Sequence, residues 1–230
     1  MNTNTKILET LEKEIKAAGV YTGYSGSFFD KTIEMLRQNI REETATKSGA
    51  KKPYKIIEAM LKTAKRDQPS RTFFQKAHEY GNKYGFLDGY RLFLSDDPFG
   101  YESINVANGA FKIDQLFNVN DYDLKTIEID TAELRYFAKI SKSRSKWDKV
   151  PYIIRTSDGF AGFNPNFLID LIEYTGSNKI RYQKRTAPIY SEDMQALLLP
   201  VNCRDMQTET DYQEYRQKWF NENKTEEAAA

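Results

Sequence analysis

The apolar residues at the start of the chain recur every three or four positions, which is the period of an amphipathic helix. The residues with this spacing are Ile7, Leu8, Leu11 and Ile15 in a first segment and Ile33, Leu36 and Ile40 in a second. A turn rich in Gly, Ser and Tyr separates the two segments, and the second ends in residues 44 to 49, whose composition is typical of a linker. The pattern predicts a helical hairpin over residues 1–50.

A third helix is predicted over residues 53–66. Pro53 stands at an early position, where its missing N–H costs nothing. The apolar face of this helix consists of Ile57, Met60, Leu61 and Ala64.

Between residues 71 and 130 the pattern changes to short apolar runs, such as Thr72-Phe73-Phe74, separated by turn residues such as Gly81-Asn82. Such runs predict β-hairpins. A helix follows over 130–142, where Asp130 and Glu133 suit a capping box and Ile129 with Leu134 suits a hydrophobic staple.

The last third of the chain alternates strands with two further helices. Strands are predicted over 150–156, 160–163, 187–190 and 195–201 and around Ile180 and Tyr182; one helix runs from Asn164-Pro165 to Gly176, and the last covers about 211–222 with Thr210 as its cap. The fold class is therefore α+β. We expect three parts: a helical hairpin at 1–50, an α+β domain at 51–204, and a C-terminal helix with a frayed tail at 205–230.

Composition excludes several classes of protein. The 34 basic and 33 acidic side chains give a net charge of +1, so attraction to nucleic acid must come from a local surface. No run approaches the roughly 18 apolar residues of a membrane span, and the polar start lacks the features of a signal peptide, so we expect a cytoplasmic protein. One cysteine, Cys203, and one histidine, His78, provide neither a disulfide framework nor the usual zinc ligands. We expect no metal and no cofactor.

Two basic runs are candidates for contact with double-stranded DNA. They are Lys51, Lys52, Lys55, Lys62, Lys65 and Arg66 in the third helix, and Lys139, Lys142, Arg144, Lys146 and Lys149 around Trp147. Lysines on a helix face bind phosphates without reading bases, so such binding would be non-specific and sensitive to salt. The alternative is that both runs are ordinary solvated surface.

Residues 159–203 resemble the closing half of the last domain of the bacterial sliding clamp, the beta subunit and processivity factor of DNA polymerase III. The matching pieces are a strand running into FNP, the helix FLIDLIEYTG, and a terminal strand reading LLLPV. Upstream, LDGYRL at 87–92 is similar to the DGHRL signature of that family, with Tyr90 in place of histidine. The resemblance implies helices packed on a curved antiparallel sheet. The family has three such domains per chain, and only one is found here, so a ring would require a homo-oligomer of six copies.

The resemblance also implies an apolar cleft that receives short peptide motifs of replication or repair proteins. The matching positions are Gly89, Tyr90, Arg91, Leu92, Leu197, Leu199, Pro200 and Val201. The alternative for Leu197, Leu199 and Val201 is that they are strand residues of the core. The expected function is that of a non-enzymatic accessory protein in DNA replication or repair. Two alternatives stay open: a decoy that mimics a clamp without encircling DNA, and a magnesium-dependent nuclease using Asp96-Asp97 and Asp121-Tyr122-Asp123.

Overall fold

An eight-stranded sheet covered by helices forms the body of this computed structural model. The structure describes residues 3–17, 28–105, 113–120, 123–143, 150–201 and 206–227. The helices are α1 (Thr3–Ala17), α2 (Phe28–Lys47), α3 (Lys51–Asp67), α4 (Ile113–Phe117), α5 (Thr131–Ser143), α6 (Pro165–Thr175) and α7 (Glu209–Glu227). The α+β class is confirmed. No helix of the described ranges is both long enough and apolar enough to cross a bilayer.

The sheet joins strands from distant parts of the chain. Its strands are β1 (Ala77–Tyr80), β2 (Lys83–Leu87), β3 (Arg91–Ser95), β4 (Ser103–Asn105), β5 (Lys125–Glu128), β8 (Lys179–Tyr182), β9 (Ile189–Ser191) and β10 (Ala196–Leu198). Their spatial order is β4-β1-β2-β3-β10-β9-β8-β5, and every neighbouring pair is antiparallel except β1 with β4. The pairing of β3 with β10 places Leu92 opposite Leu197 and joins the two halves of the sheet.

Two further strands, β6 (Tyr152–Thr156) and β7 (Gly159–Phe163), form a separate antiparallel pair. A single bridge between Gly162 and Val201 connects this pair to the segment that follows β10. The predicted strands at 150–156 and 160–163 are thereby confirmed.

Helix α6 packs on the antiparallel strands β9 and β10, as the sequence predicts. The side chain of Asn164 accepts a hydrogen bond from the backbone N–H of Asn166 at its start, and Gly176 ends it with a φ of +75°. Leu168 and Leu171 are buried in the main core, and Ile172 packs against that core. Helix α6 also contacts both α3 and α5, so the three helices hold together over the sheet.

Helices α3 and α5 are confirmed, but the Glu133 carboxylate of the predicted capping box accepts a hydrogen bond from Arg216 of α7. The predicted face of α3 is buried, and Tyr54 is buried with it. Asp130 caps α5 by accepting hydrogen bonds from the N–H groups of Ala132 and Glu133, at 2.9 and 3.1 Å. Ile129 and Leu134 are both buried, as the hydrophobic staple requires.

The N-terminal helices form the predicted pair, but residues 44–47 of the predicted linker belong to α2, and only Ser48 and Gly49 form a turn. Helix α2 continues to Lys47 because Ala45 is buried in the main core, where it adds apolar contact for another helical turn. Helix α2 contacts α3, and the guanidinium of Arg41 lies 4.3 Å from the ring centroid of Tyr101. The hairpin thus packs on the body through α2, while α1 packs on α2. The division of the chain into parts at 1–50, 51–204 and 205–230 stays a prediction.

The C-terminal helix begins earlier than predicted, with Thr208 and not Thr210 as its cap. The hydroxyl of Thr208 accepts a hydrogen bond from the N–H of Asp211, whose carboxylate accepts from the N–H groups of Gln207 and Thr208. This reciprocal arrangement is a capping box. The helix extends to Glu227, and residues 228–230 of the predicted tail lie outside the described residues.

Several predictions for residues 71–130 need correction. Thr72–Gln75 is a 3₁₀ turn and not a strand, while β1, β2 and β3 do form hairpins around Gly81 and Gly89. Strand β4 runs parallel to β1, and β5 pairs with β8, more than 50 residues away. Short helix α4 has no counterpart in the prediction. These pairings follow from tertiary contacts that local patterns do not report.

Candidate functional site

A cleft of about 660 Å³ opens where the end of α3, the turn between β2 and β3, the start of α6 and the end of β10 meet. Its lining residues are Thr63, Ala64, Arg66, Asp67, Gln68, Arg71, Asp88, Gly89, Tyr90, Asn164, Phe167, Leu199 and Val201. Three of these segments, the turn, the start of α6 and the end of β10, are those that carry the clamp resemblance. The volume is in the range of sites that take small molecules or side chains of a peptide.

The turn at 88–91 is held by its own aspartate. One carboxylate oxygen of Asp88 accepts hydrogen bonds from the backbone N–H groups of Tyr90 and Arg91, each at 3.0 Å. Gly89 has a φ of +88°, and a Cβ at this position would come within 3.2 Å of Phe74 Cζ. The backbone conformation therefore favours glycine there, and any larger residue would also press against the Phe74 ring.

A buried ionic network ties this turn to α6. Arg91 is only 5% exposed and Asp88 only 3% exposed. The Arg91 guanidinium donates to the second Asp88 oxygen at 2.9 Å and also to Asp170 of α6. The Arg91 guanidinium also lies 4.0 Å from the ring centroid of Phe167, which is one helical turn before Asp170 on α6. Burial raises the pKa of the Asp170 carboxyl, and the adjacent Arg91 opposes that rise.

Apolar side chains remain accessible within the cleft. Tyr90 is 53% exposed and Val201 is 38% exposed, while Phe167 and Leu199 are half-buried. The rings of Tyr90 and Phe167 lie 6.1 Å apart and form an aromatic wall. The backbone N–H of Leu199 donates to the carbonyl oxygen of Tyr90 at 2.8 Å, which holds the end of β10 against the turn.

The structure divides the eight predicted peptide-binding residues into two groups. Gly89, Tyr90, Leu199 and Val201 line the cleft. The other four do not: Arg91 is buried in the network beneath the turn, Leu92 and Leu197 are core residues, and Pro200 is half-buried outside the lining. Alternation accounts only for Pro200, which lies between Leu199 and Val201. Leu197 has the same parity as those two residues but is buried, because it lies between β3 and β9 in the sheet.

Sequence reasoning missed Phe167 of α6 and Arg71 before the 3₁₀ turn, which line the cleft, and Asp170 of α6, which binds Arg91 beneath the turn. Phe167 and Asp170 are three residues apart, so they share one face of the helix. That spacing within FLIDLIEYTG was the available signal. Arg71 has no pattern around it that would have distinguished it from other surface cations.

The basic face of α3 is largely neutralised by neighbouring carboxylates. Glu42 of α2 lies 3.5 Å from the Lys51 ammonium and 3.2 Å from that of Lys55, which holds the pKa of Glu42 below its ordinary value. The remaining pairs are Lys52 with Glu173 at 3.8 Å, Lys62 with Glu58 at 3.2 Å, and Arg66 with Asp67 at 2.9 Å. Lys65 is exposed. DNA phosphates would have to compete with these carboxylates for the cations. The ion pairs therefore make DNA contact through α3 less favourable than the sequence alone indicates.

The second basic run is only partly described. Lys142 is exposed in the last turn of α5, whereas Arg144 and Lys146 lie outside the described residues. DNA binding through either run stays a prediction.

If α3 does bind DNA, replacing Lys55, Lys62 and Lys65 together by Ala should lower the affinity. The slope of log K against log salt should fall by about 0.9 for each duplex phosphate that the variant no longer neutralises. Titrations of labelled duplex at several salt concentrations measure both quantities. The matched control replaces Lys125, Lys179 and Lys184, which are exposed on the β5–β8 side of the sheet. Equal effects of the two triple replacements, or tight binding at high salt, would contradict the prediction.

Two of the acidic residues considered for a nuclease, Asp96 and Asp97, have local roles. Asp97 accepts a hydrogen bond from the N–H of Phe99 at 2.6 Å, and Asp96 lies 3.4 Å from the Lys83 ammonium. Asp121 and Tyr122 lie outside the described residues, as does Cys203. Within the described ranges, no group of three His, Cys, Asp or Glu side chains could hold a metal ion. His78 is buried with Nε2 2.9 Å from the Phe73 carbonyl oxygen, and burial lowers its pKa.

Comparison with known proteins gives one distant structural likeness to report. No protein-family model matches the chain, and no curated protein matches it. The chain is similar to the crystal structure of a candidate DNA polymerase III beta subunit from Eubacterium rectale, with 20% sequence identity and a TM-score of 0.33. The likeness covers 52% of this chain and 41% of that one, so the chain spans about two fifths of its neighbour's length. An overlap of this size establishes neither a shared fold nor a shared function.

Proposed function

We propose that the chain is a non-enzymatic interaction module whose cleft receives a short apolar segment of a partner protein. The observation that carries the proposal is the accessible apolar surface of Tyr90, Phe167, Leu199 and Val201 inside a formed concavity that polar and charged side chains also line. Clefts of this composition commonly bind ligands or peptides. Scattered surface apolar residues need no such explanation, but a concave cluster does.

The walls of the cleft are held in place before any partner arrives. Asp88 fixes the turn, Arg91 joins the turn to Asp170, and Leu199 is hydrogen-bonded to the carbonyl of Tyr90. A site that is already ordered loses little conformational entropy on binding, which improves the affinity of a short ligand.

The resemblance of residues 87–92 and 159–203 to the sliding clamp supports partners from DNA replication or repair. Under this proposal the module is an accessory protein that receives their short motifs, with or without contact to DNA. The decoy alternative differs in one measurable respect, since a decoy would bind the motifs without any affinity for duplex DNA. A homo-oligomer stays a further possibility, which the mass in solution tests. Incubation of the protein with Mg²⁺ and DNA tests the nuclease alternative directly.

Replacing Val201 by Asp should weaken peptide binding while leaving the fold intact. A carboxylate there would be buried without a cation under the bound segment, which we expect to reduce affinity about tenfold or more. Binders are first selected from a displayed library of short random peptides, and their affinities for the wild-type and variant proteins are then compared by fluorescence anisotropy. Val201 is exposed in the free protein, so its stability should change little.

Met35 supplies the matched control because it is 64% exposed on α2, away from the cleft. Met35→Asp should bind the selected peptides as the wild type does. If the library yields no binders, or if the two variants lose affinity equally, the cleft is not the docking site.

A further inference from the structure

Arg71 carries a positive charge in the cleft that no carboxylate of the described residues balances. The other charged lining residues are already engaged: Arg66 donates to Asp67 at 2.9 Å, and both oxygens of Asp88 accept hydrogen bonds from the turn and from Arg91. No ion pair involves Arg71 within the ranges that the structure describes. Among the described residues that line the cleft, Arg71 is therefore the cation without a paired carboxylate.

Arg71 lies on a different wall of the cleft from Phe167 and Val201. The Arg71 guanidinium lies 5.8 Å from the ring centroid of Phe74, and Phe74 packs directly under Gly89. Arg71 thus lies at the end of the cleft formed by the turn. The apolar surface of Phe167 and Val201 belongs to α6 and to the segment after β10.

The remaining nearby carboxylate does not neutralise this end. Asp170 binds Arg91 and lines a separate shallow groove together with Lys51, Lys52 and Lys55. The charge of Arg71 is therefore available to a ligand. An arginine presents a planar fork of donors that matches a carboxylate in two parallel hydrogen bonds.

We propose, on the basis of the function proposed above, that the cleft prefers segments in which an acidic side chain neighbours the apolar one. The apolar side chain fills the space beside Phe167 and Val201, and the Asp or Glu carboxylate binds Arg71. The apolar contact contributes most of the affinity, and the acidic residue determines which apolar segments bind preferentially. Exposed ion pairs contribute little, so we expect a preference of about two- to fivefold over the amide analogue.

The test uses a displayed library of short peptides in which one position is restricted to apolar residues and the flanking positions vary freely. Selection is carried out on the wild-type protein, on Arg71→Gln and on Arg135→Gln, which removes an exposed arginine of α5 outside the cleft. Asp and Glu should be enriched at a flanking position on the wild type and on Arg135→Gln, and not on Arg71→Gln. Affinities of one selected peptide and its Glu-to-Gln analogue should differ by the stated factor on the wild type and be equal on Arg71→Gln.

The two proposals fail in different ways. Peptides that bind with no acidic preference, or with a preference that survives Arg71→Gln, would overturn the role of Arg71 and leave the cleft as a docking site. A library that yields no binders on any of the three proteins would overturn the docking function itself. Arg71 is exposed, so Arg71→Gln should unfold at the wild-type temperature.

Discussion

Replacing Arg91 by Ala is expected to lower the free energy of unfolding by about 3–5 kcal/mol, because it leaves a buried carboxylate without its cation. Asp88 is almost fully buried and its second oxygen has Arg91 as its partner. The substitution also removes the cation above the Phe167 ring and the link to Asp170. Urea denaturation followed by circular dichroism measures the change.

A double substitution separates the ion pair from the packing of the side chain. In Asp88→Asn with Arg91→Met, the buried Asp88 carboxylate is removed together with its cation, and only the partly exposed Asp170 loses its partner. The Asn side chain can still accept hydrogen bonds from the turn. The double variant should therefore lose less stability than the sum of its two single variants. A loss below about 1 kcal/mol for Arg91→Ala, or strict additivity, would show that the network contributes little to stability.

The local elements of this fold were predictable because they depend on periodicity and caps. Helix α6 was placed within a residue or two by Asn164, Pro165 and Gly176, and its buried face by Leu168 and Leu171. The error at residues 44–47 shows the limit of this reasoning. Thr and Lys favour a linker, but Ala45 reaches the core, and that contact outweighs local preference.

The pairing of the strands could not be predicted from the pattern of apolar and polar residues. Strand β5 has a short mixed sequence that alternation does not distinguish from a hairpin strand, and its partner β8 follows only after α5, β6, β7 and α6. Strand β4 has three residues, too few for any period to be detected. Such elements are defined by the neighbours against which they lie.

The candidate site was predicted at the level of segments and not of side chains. The resemblance selected the turn and the end of β10, and both line the cleft. It did not separate Leu199, which is accessible, from Leu197, which is buried between β3 and β9. The Arg91–Asp170 pair joins residues 79 positions apart, so only the folded chain brings them together.

Helix α7 covers aromatic surface that the rest of the fold would otherwise expose. Tyr215 stacks on Phe137 of α5 at 6.2 Å, and Tyr212 stacks on Phe160 of β7 at 5.0 Å. Trp219 is only 8% exposed and belongs to the main core, and its carbonyl oxygen accepts a hydrogen bond from the Tyr136 hydroxyl at 2.9 Å. The helix is therefore a part of the folded body and not an appendage.

Trp219→Ala should consequently lower the free energy of unfolding by about 3 kcal/mol, since truncating a core aromatic removes apolar packing and leaves a cavity. The matched control is Gln217→Ala, because Gln217 is exposed on the same turn of α7 and its replacement should change stability by less than about 0.5 kcal/mol. Denaturant titrations of both variants measure the difference. If α7 were instead held ready for a separate partner, Trp219→Ala would unfold at the wild-type denaturant concentration, and proteolysis would remove residues 206–230 without affecting the remaining fold. Loss of stability in Trp219→Ala alone, with a single cooperative transition, would place α7 in the same cooperative unit as the sheet.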